Sequence, residues 1–313
     1  MSLTAGEVDQ FEACRPRLAA LAYRLLGSAS DAEDAVQDAF LRWAAVDRDE
    51  IRTPEAWLTK ALTNGCLDRL SSARARRERS FGQWLPEPVL DGDPLLDPAE
   101  TAEQRESVSL AMLLLLERLG PAERAVYVLR EAFSYSHREI AQMLDLTEAA
   151  SQQHLHRARE RIGTVDREEP VDAAAGRRII EAFLAAAASG RTERLVALLR
   201  DDATATGDGG PVPTIPGEYR GAERIAAYVR GVFKPTPVKR RLLGGAPAVH
   251  AAAVNGCPAL VAVLDDRVVG VMAFAVVGGK IAAVRNFADP AKLAYLSRRW
   301  RTRAPEAPLI ASW

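Results

Sequence analysis

The chain has 313 residues, enough for two or three domains, and 48% of its residues are hydrophobic, as in soluble proteins with packed cores. Its 41 basic and 42 acidic residues nearly cancel, which excludes binding to polyanions through overall charge and requires any nucleic-acid surface to be local. The three cysteines share no metal-binding spacing, the N-terminus lacks a signal peptide, and no apolar run is long enough to cross a membrane. We therefore expect a cytoplasmic protein with no metal, no cofactor and no membrane partner.

Residues 1–79 are predicted to form a helical domain with a basic end. Apolar residues recur at three- or four-residue spacing over residues 8–26 and 31–45, which is typical of amphipathic helices. Ser30 is predicted to cap the second helix, and Pro54 opens a third at its preferred first-turn position. The third helix runs into an arginine-rich stretch, which supplies the local positive charge that the overall balance conceals.

Residues 80–105 contain too many prolines and glycines for a helix and are predicted to form a linker. Exposed linkers usually avoid aromatic residues, so we expect the aromatic stretch of this linker to dock onto a folded domain. That stretch consists of Trp84, Leu85, Pro86, Glu87 and Pro88.

Residues 106–165 are predicted to form a second helical domain that ends in a helix-turn-helix. A strongly apolar helix is expected at residues 108–119. In the helix-turn-helix, Ser136 is placed to cap the first helix, with Glu139 in the capping-box position. A turn at residues 145–147 follows, in which aspartate can adopt the left-handed conformation and threonine can cap the next helix.

The second helix of this motif has an inward and an outward face. Ser151, Leu155, Ala158 and Ile162 recur at helical spacing and should face the core. Glutamine pairs with adenine in the major groove, and arginine and histidine reach phosphate or guanine. The outward face carries such side chains, namely Gln152, Gln153, His156, Arg157 and Glu160. On spacing alone, an ordinary antiparallel helix pair with a polar outer face is the alternative.

Residues 170–300 are predicted to form an α+β domain, because the hydrophobic period changes from helical to alternating in this part of the chain. Asn255-Gly256 predicts a type I′ hairpin turn. Helices are expected at residues 172–188, 192–199 and 222–233, and strands at residues 203–207, 238–243, 247–254, 258–264, 268–277 and 281–287. A sheet wrapped around helices in this way leaves a conical cavity. The last residues, 301–313, are expected to form a tail.

Three segments resemble motifs of one known family. Residues 30–43 look like the clamp-binding helix of bacterial sigma factors, and residues 54–64 are similar to their helix beside the promoter −10 element. Residues 119–130, with the helix-turn-helix, resemble their −35-binding domain. The order and spacing match the extracytoplasmic-function (ECF) sigma factors, which keep only these two domains. The resemblance covers about the first half of the chain and implies two all-α sigma domains.

The resemblance implies two partners, core RNA polymerase and promoter DNA. On the polymerase it implies contacts with the clamp helices of the largest subunit and with the flap. An acidic helix face suits a basic coiled-coil partner, and the matching residues here are Asp34, Gln37 and Asp38. A sigma factor performs no covalent chemistry, so no enzyme activity is expected.

For DNA, the resemblance implies a −10 surface on the third helix and a −35 surface on the helix-turn-helix. Asn64 matches the position near a −10 base that is flipped from the stack. Positive charge around it suits the phosphates of a melted strand and comes from Lys60, Arg69, Arg74, Arg76 and Arg77. In the −35 domain, the base-edge candidates are Gln152, Gln153 and His156, and the phosphate candidates are Arg157 and Arg159.

One ECF subgroup carries a C-terminal extension similar to the SnoaL and ketosteroid-isomerase cone folds, and this chain resembles it in three places. The linker stretch at residues 84–88 matches one signature, and two loops resemble the others. The loop residues are Asp208, Gly209 and Gly210, and then Asp289, Pro290, Lys292 and Leu293, with departures from the usual pattern at Pro211, Ala288 and Ala291. We hypothesise that this extension packs against the sigma domains, sets their spacing and modulates their activity. Its cone also leaves room for a small apolar ligand.

Two other functions remain open from the sequence. A repressor or activator would use the helix-turn-helix alone and bind a duplex operator without polymerase. A fusion enzyme would need a carboxylate or histidine base inside a closed apolar cavity, for which the candidates are Asp202, Asp208 and His250. No pair among these residues has a diagnostic spacing, so we expect a regulatory role rather than catalysis.

Overall fold

The computed structural model describes residues 4–47, 51–77, 84–96, 108–163, 171–208, 218–303 and 306–313, with the helix but not the side chains of residues 73–77. The chain forms two compact units. The first contains residues 1–80 and 92–165, and the second contains residues 81–91 and 166–313. The described residues 84–91, from the predicted linker, therefore belong with the C-terminal part of the chain. No described helix has an apolar stretch long enough to cross a bilayer.

The first unit begins with three helices, α1 (Ala5–Leu26), α2 (Ala29–Ala45) and α3 (Pro54–Arg77). Their apolar faces meet around fully buried aromatic side chains; Phe11, for example, packs edge-on against Phe40 with ring centroids 4.9 Å apart. Burying such large apolar side chains is the main favourable contribution to a core of this kind.

The predicted cap of α2 was wrong by two residues. Gly27 ends α1 in the left-handed conformation, with φ of 65°, and Ser28 follows in an extended conformation. The Ser28 hydroxyl accepts a hydrogen bond from the Asp31 backbone N–H at 3.0 Å, so Ser28 is the cap and Ser30 lies inside the first turn. Only two residues, Gly27 and Ser28, separate α1 from α2, and each of them caps one helix, which the sequence pattern did not reveal.

Among its described residues, the first unit also contains a 3-10 turn at Pro94–Leu96 and the helices α4 (Leu110–Leu116), α5 (Pro121–Tyr127), α6 (His137–Leu144) and α7 (Glu148–Ile162), with a π-helical turn at Val128–Ala132 between α5 and α6. Helices α6 and α7 form the predicted helix-turn-helix. Ser136 and Glu139 make the capping box, Asp145 is left-handed with φ of 53° and ψ of 46°, and Thr147 caps α7. The predicted inward residues Ser151, Leu155, Ala158 and Ile162 are all buried. These predictions are confirmed, although the apolar helix α4 is shorter than predicted.

The second unit is an α+β domain, as predicted. Its elements are α8 (Ala173–Ala188), α9 (Thr192–Leu198), β1 (Leu199–Gly207), β2 (Glu218–Arg220), α10 (Ala222–Phe233), α11 (Pro237–Leu243), β3 (Ala248–Val254), β4 (Cys257–Leu264), β5 (Arg267–Val277), β6 (Lys280–Phe287) and α12 (Ala294–Arg301). The sheet order is β2-β1-β6-β5-β4-β3, and only the β1–β6 pairing is parallel among these neighbours. Asn255 and Gly256 both have positive φ, 49° and 76°, which confirms the predicted type I′ turn.

One predicted strand was wrong, because residues 238–243 belong to helix α11. The Thr236 hydroxyl accepts from the Lys239 N–H at 3.2 Å, Pro237 occupies the first turn, and Gly244 ends the helix with φ of 85°. These start and stop signals outweigh the strand preference of a branched residue such as Val238. Helix α12 and strand β2 had not been predicted.

The C-terminal end of the chain is ordered against the sheet. The Val249 N–H donates to the Ile310 carbonyl at 2.8 Å, and the Leu309 N–H donates to the Val249 carbonyl at 2.8 Å. The Trp313 N–H donates to the Pro247 carbonyl at 3.0 Å. Residues 309–313 therefore pair with the start of the edge strand β3, at Val249, and with Pro247 just before it.

Candidate functional site

The predicted polymerase-binding residues lie on the exposed face of α2. Asp34, Gln37 and Asp38 are exposed, whereas the residues that alternate with them, such as Val36, are buried in the helical core. Asp38 Oδ2 lies 2.5 Å from Arg69 Nη2 on α3. The acidic face of α2 therefore borders the basic part of α3. Asp38 of the predicted polymerase-binding set is paired with Arg69 of the predicted −10 set.

The predicted −10 residues follow helix α3. Lys60 and Asn64 are four residues apart, which places them on one helix face, and both are half-buried. Lys60 Nζ donates to Asp145 Oδ1 at 2.7 Å and to the Gln142 carbonyl at 2.9 Å. The predicted −10 helix is thus hydrogen-bonded to the turn of the helix-turn-helix. Arg74, Arg76 and Arg77 lie in the last turns of α3, and their side chains are outside the described residues.

Helix α1 also contacts the segment just before the helix-turn-helix, which sequence reasoning missed. Arg17 Nη2 donates to the Tyr135 hydroxyl at 3.3 Å, and the Arg17 guanidinium lies 5.2 Å from the Phe133 ring centroid. Arg24, only 3% exposed, lies 5.3 Å from the same ring. Cation–π contacts of this kind are favourable, and more so when they are shielded from water. The aromatic residues before Ser136 are the signal that could have revealed this contact.

The recognition helix α7 presents its predicted base-reading side chains to solvent. Gln152, Gln153 and His156 are exposed on the face opposite the buried residues. His156 Nε2 lies 3.3 Å from Glu160 one turn later. On the inner face, Ser151 is fully buried, and its hydroxyl lies 2.9 Å from His137 Nδ1 on α6. That contact explains how a polar residue is accommodated at the inner position.

A buried carboxylate fixes α7 against α5. Glu123 is 7% exposed and accepts from Arg161 Nη1 at 2.5 Å, while Arg157 Nε lies 3.4 Å from the same carboxylate. Arg159 Nη2 donates to Glu131 at 2.8 Å. The two phosphate candidates, Arg157 and Arg159, are therefore paired with acids of their own domain. Their exposure leaves both groups within reach of solvent.

The linker signature lies in the second unit, where it is largely buried. Leu85, Pro86 and Pro88 are buried, and Trp84 and Glu87 are half-buried. The adjoining residues pair with the β3–β4 hairpin: Val89 N–H donates to Asn255 Oδ1 at 2.9 Å, and Asn255 N–H donates to the Val89 carbonyl at 2.9 Å.

One step further along the linker, two more hydrogen bonds join the same hairpin. The Asp91 N–H donates to the Ala253 carbonyl at 3.0 Å, and the Gly256 N–H donates to Asp91 Oδ1 at 2.8 Å. We call residues 84–91 the clasp, because these hydrogen bonds and the buried side chains hold the segment on the C-terminal domain.

The two loop signatures meet each other and the clasp. The Asp208 carboxylate accepts from the Ala288 N–H at 3.0 and 3.1 Å and from the Asp289 N–H at 3.1 Å. In the following turn, Lys292 Nζ lies 5.9 Å from the Trp84 ring centroid. Leu293 is buried, Pro290 is exposed, and Gly209 and Gly210 lie outside the described residues. Three segments far apart in sequence therefore converge within one unit.

The three residues considered for catalysis each make contacts away from the apolar cavity of the second unit. Asp202 is exposed and is paired with Arg200, whose nitrogens lie 2.9 Å from its oxygens, and Asp208 holds the turn described above. His250 Nδ1 lies 3.0 Å from the Glu306 carbonyl. The unit contains an apolar cavity of about 140 Å³, and none of these three residues lines it. Within the described residues, no cluster of histidine, cysteine or acidic side chains is suited to a metal ion.

In comparisons with known proteins, two family models match the first unit. The model for Sigma-70 region 2 matches residues 10–76, and that for Sigma-70, region 4 matches residues 109–162. The ECF RNA polymerase sigma factor SigJ of Mycobacterium tuberculosis is 36% identical over 295 residues, or 91% of this chain and 93% of SigJ. SigG of the same organism is 32% identical over 246 residues, or 70% of this chain and 64% of SigG. The crystal structure of M. tuberculosis SigJ aligns with a TM-score of 0.69 and 33% identity, covering 92% of this chain and 98% of that one.

Proposed function

This chain belongs to the family of ECF RNA polymerase sigma factors, and we propose that it binds core RNA polymerase and directs it to promoters in the cytoplasm. The observation that carries the proposal is one helical unit with an acidic face on α2, a basic α3 and a helix-turn-helix whose base-reading face is exposed. No covalent step is required of such a protein, because strand opening is driven by capturing bases that have left the stack.

For the polymerase, we propose that Asp34, Gln37 and Asp38 contact the clamp helices of the largest subunit. Their exposure on one helix face supports this role, since an acidic surface steers association with a basic partner. We also propose that the helix-turn-helix domain contacts the flap. Asp38 would exchange Arg69 for a basic group of the polymerase, which would leave Arg69 available to DNA.

For the −10 element, we propose that Asn64 hydrogen-bonds a flipped base and that Lys60, Arg69, Arg74, Arg76 and Arg77 contact phosphates of the melted strand. The hydrogen bonds of Lys60 add a condition. Lys60 cannot neutralise a phosphate while Asp145 holds it at 2.7 Å, so we propose that this ion pair breaks, and that α3 separates from the helix-turn-helix, when the protein binds the −10 element. The arrangement described here is then a closed form of the first unit.

For the −35 element, we propose base contacts by Gln152, Gln153 and His156, whose side chains are exposed on α7. Arg157 and Arg159 would contact phosphates at the edges of the groove. Both arginines already have acidic neighbours, Glu123 and Glu131, which orient them before DNA binds. Orienting a long side chain in advance reduces the conformational entropy that binding costs.

For the C-terminal domain, we propose a modulating role through the clasp and the two loop signatures, together with binding of a small apolar ligand. The clasp is part of the chain that joins the two sigma domains, yet it packs in the C-terminal unit. Because the clasp is buried there, the C-terminal domain limits how far the rest of the linker can extend. This restriction would set the distance that the two DNA-binding modules can span.

A gel-shift experiment with a promoter fragment, with and without core polymerase, tests the main proposal. We expect a specific complex only when core enzyme is present. Tight, specific binding of duplex DNA by the protein alone would instead favour a stand-alone helix-turn-helix regulator. Trimming the chain near residue 165, and separately after residue 285, tests modulation, and unchanged promoter-specific transcription from both would contradict it.

A further inference from the structure

The cavity in the C-terminal domain owes its space to a row of small residues in the sheet. Val249, Ala262 and Gly270 are cross-strand neighbours on β3, β4 and β5, and all three line the cavity. The adjacent row contains Leu260 and Met272, whose side chains are larger and also line the cavity. A Cβ atom added at Gly270 would meet nothing closer than 3.7 Å. The gap is therefore a consequence of the small residues in this row, and the cavity is partly open to solvent, which gives a ligand a way in.

Two polar side chains line the otherwise apolar wall, Tyr228 on α10 and Asn286 on β6. Asn286 Nδ2 donates to the Thr206 carbonyl at 3.4 Å, and no described residue donates to its Oδ1. Burial raises the pKa of Tyr228 to about 12, so its hydroxyl stays protonated at neutral pH, and it has no hydrogen-bond partner among the described residues. None of the described lining residues is charged.

We propose that this cavity binds a small, neutral, single-ring molecule that carries one hydroxyl group, a class represented by phenol. The size follows from the volume, because an apolar cavity of about 150 Å³ holds one benzene ring. The hydroxyl would donate to Asn286 Oδ1 and accept from Tyr228, which gives both polar groups a partner. An anion is disfavoured, because no described cation lines the wall to compensate its burial.

The cavity wall continues into the segments that hold the clasp. Ala288 lines the cavity, and its backbone N–H is bound by Asp208. The turn that follows places Lys292 beside Trp84 of the clasp. A ligand that contacts residues 286–288 would therefore act on the chain segment that supports the clasp. The ligand class rests on the small-ligand binding proposed above for the C-terminal domain, and the effect on the clasp rests in addition on the proposed modulating role.

Fluorine NMR on the full-length protein tests the site with two probes of similar size, 4-fluorophenol and 4-fluorotoluene. We expect both probes to bind, and we expect Gly270→Val, which fills the gap, to abolish the binding of both. Tyr228→Phe should weaken the binding of 4-fluorophenol by about threefold to tenfold, the effect of one hydrogen bond. It should leave the binding of 4-fluorotoluene unchanged. Ala262→Leu fills the same gap from β4 and replaces Gly270→Val if circular dichroism shows that the latter is unfolded.

Three results would overturn the proposal: no binding of either probe at millimolar concentration, binding that persists in the folded cavity-filling variant, or equal weakening of both probes by Tyr228→Phe. The measurement uses neither polymerase nor DNA. Its failure would therefore leave the sigma-factor function standing, and failure of promoter-directed transcription would leave the binding result intact.

Discussion

Replacing Asp145 by asparagine should open the first unit without disturbing the helix-turn-helix. Asparagine tolerates the left-handed conformation of this turn residue as well as aspartate does, so the fold is retained. The change removes the charge that faces Lys60 at 2.7 Å, and Lys60 keeps its hydrogen bond to the Gln142 carbonyl. The side chains of Lys60 and Asp145 are 39% and 76% exposed, so solvent screens the ion pair.

The expected size of the effect follows from that exposure. An exposed ion pair contributes about 0.2–1 kcal/mol, which changes the ratio of closed to open forms by about 1.4- to 5-fold. With sigma factor limiting, transcription from a cognate promoter should rise by a factor in that range. The difference in transcription between the variant and the parent protein should become smaller as the salt concentration increases, because salt screens exposed charges.

Asp265→Asn provides a matched control. Asp265 is also exposed and left-handed, with φ of 48°, but it lies in the β4–β5 hairpin and has no ion pair among the described residues. It should leave transcription unchanged. Equal activity of Asp145→Asn and the parent protein at low salt would refute the view that the Lys60–Asp145 contact holds a closed form.

Three further predictions concern the clasp, the recognition helix and the cysteines. Leu85→Ala should weaken docking of the clasp by about 2–5 kcal/mol, measured as faster amide exchange there, while exposed Leu242→Ala should have little effect. Gln153→Ala should reduce discrimination at one −35 base pair by about 1–3 kcal/mol in promoter-variant transcription; unchanged base preference would contradict its role. Burial raises the pKa of Cys66 to about 12, so at pH 8 only about one Cys66 thiol in 10⁴ is ionised. Alkylation should therefore modify the less buried Cys14 first, which mass spectrometry would detect. Rapid labelling of Cys66 in the folded protein would contradict its burial.

Local signals explain why much of the first unit could be predicted from sequence. The helix-turn-helix depends on Ser136, Asp145 and Thr147, each of which acts on backbone groups within a few residues of itself. The same holds for the Asn255 turn. Helix α11 was missed for the converse reason, because its cap and stop signals competed with a strand-like composition, and the strand was preferred in error.

Contacts between distant parts of the chain could not be predicted in this way. Lys60 was predicted to contact DNA from its place on α3, but nothing near it in sequence indicates that Asp145, 85 residues later, would hold it. The signatures at Trp84, Asp208 and Lys292 were recognised as a set, yet their convergence depends on how β6 and the linker pack. Periodicity identifies which face of an element is buried, but it does not identify the partner of that face.

Asp208→Asn tests whether the Asp208 loop supports the clasp or only shapes its own turn. The Asp208 carboxylate accepts hydrogen bonds from two backbone N–H groups, those of Ala288 and Asp289. Asparagine would direct its own NH₂ group at one of these donors, and hydrogen bonds to a charged group contribute about 1.5–3 kcal/mol. We therefore expect amide exchange at Ala288 and Asp289 to accelerate, while Asp265→Asn should leave it unchanged.

The amides of Val89 and Asp91 decide between the two roles, because they donate to the hairpin rather than to the Asp208 loop. If the loop supports the clasp through Lys292 and Trp84, exchange at these two amides should also accelerate in Asp208→Asn, and promoter-directed transcription should change with it. If only Ala288 and Asp289 lose protection, then Asp208 shapes its own turn, and the clasp is held by the hairpin and its buried leucines alone. That second result would remove the loop signatures from the proposed modulating mechanism.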